Sequence, residues 1–114
     1  MLEFFTPEKA NKMLPEVRVK VRRIVNLTKE IPSLYGIKRS QALDELGILI
    51  TKLGDEGIEL KDARMGLIDF PAKRFDEKVY LCWKLGEPEV LYWHDLRSGF
   101  RGRQLLKSEL LKAR

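Results

Sequence analysis

The sequence predicts an α+β domain: an N-terminal antiparallel helical hairpin packed on a small antiparallel β-sheet of three or four strands. Apolar residues recur at helical spacing as far as Leu53, where Gly54 and Gly57 supply stop signals. From Ile58 onward the apolar runs are short and separated by polar or Gly/Pro turns, which is the pattern of strands. At 44% hydrophobic and 34% charged, the 114 residues have the make-up of one globular unit. That unit is a single domain over 1–114, with a helical hairpin over 1–57. The sheet, a C-terminal loop and a short helix fill 58–114.

The first helix opens at Thr6-Pro7-Glu8. Thr6 suits the cap, proline the first helical position, and Glu8 the positive end of the helix dipole. Ala10, Met13, Leu14, Val17, Val21, Ile24, Val25 and Thr28 make its apolar stripe, which ends near Glu30 ahead of Ile31-Pro32. Pro15 lies inside the stripe and predicts a kink or a restart near Leu14. Lys9, Lys12, Arg18, Lys20, Arg22 and Arg23 crowd the outer side, a solvated face or a track for phosphates. After Pro32 to Gly36, a second helix is expected to bury Leu43, Leu46, Ile50 and Leu53.

Ile58-Glu59-Leu60 and Gly66 to Phe70 read as short strands, the second ended by Pro71. Then comes the densest stretch of the chain, Val79 to Leu105, which holds both tryptophans, the one histidine and the one cysteine. Two apolar-aromatic runs flank Gly86-Glu87-Pro88-Glu89, a hairpin turn. Strand side chains alternate between faces. Placing Leu81 opposite Trp93 collects Val79, Leu81, Trp83, Leu91 and Trp93 on one face, and Tyr80, Cys82, Tyr92 and His94 on the other. A slip of one residue would put the tryptophans on opposite faces, which burial penalises. Ser98 to Arg103 reads as a loop, and Leu105 to Lys112 as a final helical turn or two.

Phe5-Thr6-Pro7-Glu8-Lys9-Ala10-Asn11 followed by Leu14-Pro15 resembles the opening of the prokaryotic domain of unknown function 2203 family. So do Gly66 to Ala72, Leu81 to Glu87, Trp93-His94, and Gly99-Phe100-Arg101-Gly102-Arg103. The resemblance covers nearly the whole chain and implies no activity, cofactor or site residue.

Composition narrows function by exclusion. No apolar run approaches the roughly 18 residues of a membrane span. The start, MLEFFTPEKA, lacks the basic and apolar regions of a signal peptide. One cysteine forms no internal disulfide and suits a reducing cytoplasm, so the expected location is cytoplasmic. Cys82 and His94 alone are too few for a standard structural zinc site, so neither metal nor cofactor is expected. The formal charge of +5 is compatible with an acidic partner, although no nucleic-acid-binding motif is present.

What remains is a candidate site in the aromatic stretch. Gly99 and Gly102 let backbone amides converge on an anion, and the forks of Arg101 and Arg103 match phosphate or carboxylate. The competing role for both arginines is to pin the C-terminus by pairing with Asp69, Glu87 or Asp95. His94 is the candidate general base. Asp95 faces the other way along the strand, which leaves Asp69, Glu87 or Tyr80 to orient the ring. Cys82 lies diagonal to His94, and Trp93 adds an aromatic surface. The expected function is a small cytoplasmic binding or interaction module with an anion-accepting site at His94, Arg101 and Arg103. An enzyme using His94 for proton transfer, and an RNA-associated protein using the basic first helix, are the alternatives. With apolar side chains on both faces of the hairpin and two helices to cover them, a homodimer is expected as well.

Overall fold

The computed structural model describes residues 4–106. Two helices, α1 (Pro7–Glu30) and α2 (Gly36–Asp55), are joined through a 3-10 turn at Ile31–Ser33 and followed by five strands. These are β1 (Glu59–Asp62), β2 (Leu67–Arg74), β3 (Glu77–Lys84), β4 (Tyr92–His94) and β5 (Gln104–Leu105). They form one antiparallel sheet in the order β1-β2-β3-β4-β5, each strand pairing with its neighbour in sequence. The fold class is the predicted α+β, with five strands in place of three or four.

Helix α1 supplies most of the wall against the sheet. Thr6 caps it by accepting from the Lys9 amide at 3.1 Å. Ala10, Leu14, Val17, Val21, Ile24 and Val25 are buried against Ile68, Phe70, Leu81 and Trp83. The restart predicted at Pro15 does not occur, and the helix continues through it. Proline removes one amide from the ladder there, while Leu14 and Val17 on either side stay anchored in the core.

The packed face of α2 keeps Leu46 and Leu53 of the predicted stripe and loses Leu43 and Ile50. Ala42 and Leu53 are buried, with Leu46 and Leu49 packed against the core. Leu43 and Ile50 are turned toward solvent. The small side chain of Ala42 marks the face that lies close to Leu27 and Ile31.

Pro71 does not end β2; it pairs opposite Tyr80 within the strand. The Pro71 carbonyl accepts from the Phe5 amide at 2.7 Å. The N–H and C=O of one strand residue point to the same side, so the missing donor faces the Phe5 segment and not β3. Phe75 and Asp76 connect β2 to β3 with positive φ of 51° and 67°, the signature of a two-residue type I′ turn. That turn sets Asp69 opposite Cys82.

The β3–β4 register is the predicted one, with Leu81 opposite Trp93 and Tyr80 opposite His94. Trp83 is fully buried in the core and Trp93 packs at its border, on the helix side of the sheet. The connection between these strands is tied to α1 by Asn11. Its side chain accepts from the Val90 amide at 2.7 Å and donates to the Val90 carbonyl at 3.3 Å, mimicking a paired strand.

Leu105 belongs to β5 and not to a helix, because Gln104 and Leu105 pair with Trp93 and Tyr92. Leu106 is not helical either, its amide donating to the Leu91 carbonyl at 2.8 Å, and residues 107–112 of the expected helix lie outside the described residues. Phe100–Gly102 is a 3-10 turn within the predicted loop.

Candidate functional site

The sheet face turned away from α1 carries a polar cluster. Asp69 comes from β2, Cys82 from β3 and His94 from β4, and all three are buried, at 2%, 0% and 4% exposure. One potential donor atom from each lies within 4.8 Å of the other two. Such a cluster needs internal partners, because a polar group removed from water without them is costly.

The histidine has two. His94 Nδ1 lies 2.7 Å from the Asp95 carbonyl, which only accepts, so Nδ1 carries a proton. His94 Nε2 lies 2.9 Å from Asp69 Oδ2. One proton sits between them, with the pair either as imidazolium and carboxylate or as neutral imidazole and carboxylic acid. Both forms are neutral overall. Burial holds the Asp69 carboxyl above its usual range, opposed by the contact with His94. Asp69 Oδ1 is sealed from solvent and meets no nitrogen or oxygen donor among the described residues, while the Cys82 thiol lies beside the carboxylate.

Cys82 is kept as a thiol. Burial pushes its pKa up to about 12, and the neighbouring Asp69 charge adds to the shift. A nucleophilic cysteine needs the opposite environment.

Arg103 closes this face. Its guanidinium makes a two-pronged contact with the Glu87 carboxylate, at 3.0 Å and 2.5 Å. The same group stacks over Tyr92 and Phe100, 4.0 and 4.4 Å from the ring centroids. Nη1 is 3.9 Å from Cys82 Sγ. Glu87 also accepts from the Lys84 amide at 2.8 Å, while the Trp83 indole donates to the Glu87 carbonyl at 3.0 Å. The pair is about one-sixth exposed, so breaking it is more costly than breaking a surface ion pair. We expect Arg103→Ala to lower stability by about 2 kcal/mol, a loss of stacking and of a partly desolvated pair. Arg101 is exposed and has no ion-pair partner among the described residues, so Arg101→Ala should change stability by under about 0.5 kcal/mol. Chemical denaturation of the two variants beside the parent checks both expectations.

Of the predicted site residues, the fold brings together Asp69, Cys82, His94, Tyr80, Glu87 and Arg103. Tyr80 lies 5.4 Å from the His94 ring, centroid to centroid. Asp69, one of three candidates for orienting His94, is the side chain bonded to it. Trp93 is on the opposite face, where Arg74 lies over its ring at 4.6 Å. Gly99, at φ 58°, begins the 3-10 turn. Gly102 is held tightly against the Ser98 side chain, leaving no room for a Cβ. Asp95 caps the turn below, accepting from the amides of Arg97 and Ser98.

Counting only Cys and His from the sequence omitted the third donor, Asp69. Its place opposite Cys82 depends on the Phe75-Asp76 turn, which carries no glycine to announce it. The basic side of α1 is partly committed within the fold. Arg23 makes a fork with Glu45, Lys20 pairs with Glu56, and Arg18 donates to the Pro88 carbonyl.

Among the described residues no helix is long and apolar enough to cross a membrane. No curated protein and no solved structure matches the chain. A family model does match, that of the uncharacterized conserved protein DUF2203, over residues 3–106, and it takes in both helices, all five strands and the Asp69–Cys82–His94 cluster. The chain belongs to that family.

Proposed function

We propose that this protein is a small non-catalytic interaction module that self-associates through the outer face of α2. The observation that carries the reading is a notch on that helix, lined by Leu43, Asp44, Gly47, Ile48, Thr51 and Lys52. Leu43 and Ile48 are 46% and 54% exposed, and Ile37 on the same helix is 76% exposed. An exposed helical glycine, with nothing within 4 Å of where its Cβ would be, lets another helix approach closely. Asp44 and Lys52 flank Ile48 symmetrically, four residues to either side. A second copy packed antiparallel about a two-fold axis near residue 48 sets Asp44 of each copy against Lys52 of the other. It also brings the two Ile48 side chains together, with the Gly47 notch of each copy beside them. The apolar surface expected to need a cover was on the sheet; the exposed apolar side chains on α2 make the helix the better candidate.

Light scattering on the parent protein across micromolar concentrations should give a dimer mass. Ile48→Glu should convert it to a monomer, and Asp44→Lys should weaken association, with Lys52→Asp restoring it. A parent that stays monomeric throughout rules the interface out. The buried, doubly bonded His94 and the protonated Cys82 support a role without catalysis. The unpaired buried thiol suits the reducing conditions of the cytoplasm.

A second reading rests on Arg101. It is the arginine of the Gly99–Arg103 turn that pairs with no carboxylate among the described residues, and so the one open to a small anion such as phosphate. Phosphate should then raise the melting temperature of the parent, and Arg101→Ala should abolish the rise. No phosphate effect on the parent excludes this reading.

A further inference from the structure

We propose that Asp69, Cys82 and His94 form a binding site for one transition-metal dication of the zinc class. Neither sequence motif nor family description points to it; the donors are scattered over three strands and are gathered by the sheet register.

Geometry and chemistry agree on the ligand class. The three donor atoms lie within 4.8 Å of one another, and His94 Nε2 to Asp69 Oδ2 is 2.9 Å. Around a tetrahedral zinc ion, with bonds of roughly 2.0–2.3 Å, ligand atoms sit roughly 3.3–3.7 Å apart, so small side-chain shifts are enough. A thiolate, an imidazole and a carboxylate select a borderline-soft dication over magnesium or calcium, which prefer all-oxygen shells.

Two further observations set this cluster apart from an ordinary buried hydrogen-bond network. Asp69 is 98% buried, yet among the described residues no nitrogen or oxygen donor reaches its Oδ1, and the weakly donating Cys82 thiol is the group beside the carboxylate; a buried carboxylate oxygen served so weakly is a ready ligand for an ion. The environment of His94 is that of a metal-ligating histidine as well. Nδ1 donates to the Asp95 carbonyl at 2.7 Å, which fixes the ring and leaves Nε2 as the coordinating nitrogen. Outside these ligands, Arg103 Nη1 lies 3.9 Å from Sγ, where it can donate to a thiolate. The Arg103–Glu87 pair beside Cys82 is itself 14% and 17% exposed, so the thiol lies one side chain away from solvent.

The charges balance. Coordination releases two protons to solvent, the one on Sγ and the one shared by Asp69 and His94. The dication then meets one thiolate, one carboxylate and a neutral imidazole, so the buried site stays neutral. Three protein donors fill three positions of a tetrahedral shell.

The test uses cobalt(II) as a spectroscopic stand-in for zinc, added to chelator-treated full-length protein. The expected result is one equivalent bound, a sulfur-to-cobalt charge-transfer band in the near ultraviolet, loss of the band on adding zinc, and a higher melting temperature with either metal. His94→Gln and Asp69→Asn should each weaken cobalt binding by 100-fold or more, with the fold of each variant checked by circular dichroism. A band of unchanged affinity in both variants would mean that Cys82 binds cobalt outside this cluster, and would overturn the proposal. So would a parent protein that shows no charge-transfer band or no metal-dependent melting shift, an outcome independent of whether either variant folds.

Discussion

Replacing Asp69 by alanine should lower the stability of the metal-free protein by about 3–5 kcal/mol, the range found when one partner of a buried pair is removed. The carboxylate satisfies His94 Nε2 at a site that water does not reach, with side-chain exposures of 5% and 3% for the two residues. Without it, Nε2 faces a small cavity and Nδ1 remains tied to the Asp95 carbonyl. Replacing both residues by leucine should cost less than Asp69→Ala, because an apolar pair leaves no orphaned polar group. Urea denaturation at neutral pH compares them. A loss below about 1 kcal/mol for Asp69→Ala would show that the pair does not hold the strands together.

The second large effect is alkaline. In the unfolded chain the Cys82 thiol ionises near 9.0, whereas in the fold it is pushed up to about 12 by burial first and by Asp69 next. The unfolded state therefore loses its proton at lower pH than the native state does. The resulting stability is fully present below pH 9 and is lost as the pH rises toward 12. Three pH units correspond to about 4 kcal/mol. Cys82→Ser keeps the shape and lacks this titration, so the gap between parent and variant should close or reverse across that interval. Denaturant midpoints at successive pH values measure the change. Parallel curves for the two proteins would count against it.

Much of this fold could be read from the residues, and the failures have physical causes. The β3–β4 register was legible because moving Trp83 and Trp93 apart would expose one of them, so period-two sorting and burial agreed. Helix α2 was harder. Leucines and isoleucines surround it, so a stripe through Leu43 and Ile50 fits the helical period about as well as one through Ala42 and Leu49. Close approach at Ala42 decides between them, and that depends on α1. Strand β5 gives no side-chain signal, since Gln104 and Leu105 are both exposed and are held by their backbone pairing to β4. Pro71 was read as a terminator because proline lacks a donor; which edge of the strand that donor faces is decided by Phe5, more than sixty positions earlier. In the site, His94 and its possible carboxylate were visible as residue types. Their meeting with Cys82 was not, because it depends on a turn whose positive-φ residues are Phe75 and Asp76.

The clamp of Asn11 on Val90 also has a consequence for how the chain reaches this structure. Every strand of the meander pairs with its sequence neighbour, so the sheet can grow by successive short-range hairpins. The clamp joins residues 79 positions apart, and closing so long a loop costs about 2 kcal/mol more chain entropy than closing one of about ten residues. Docking of α1 is therefore the non-local step of folding, the one that carries this loop-closure cost. Until it occurs, the core face of the sheet, with Ile68, Phe70, Leu81 and Trp83, lies open to water and to other chains. The polar cross-link at Asn11 thus marks the end of the interval in which a newly made copy is exposed to aggregation.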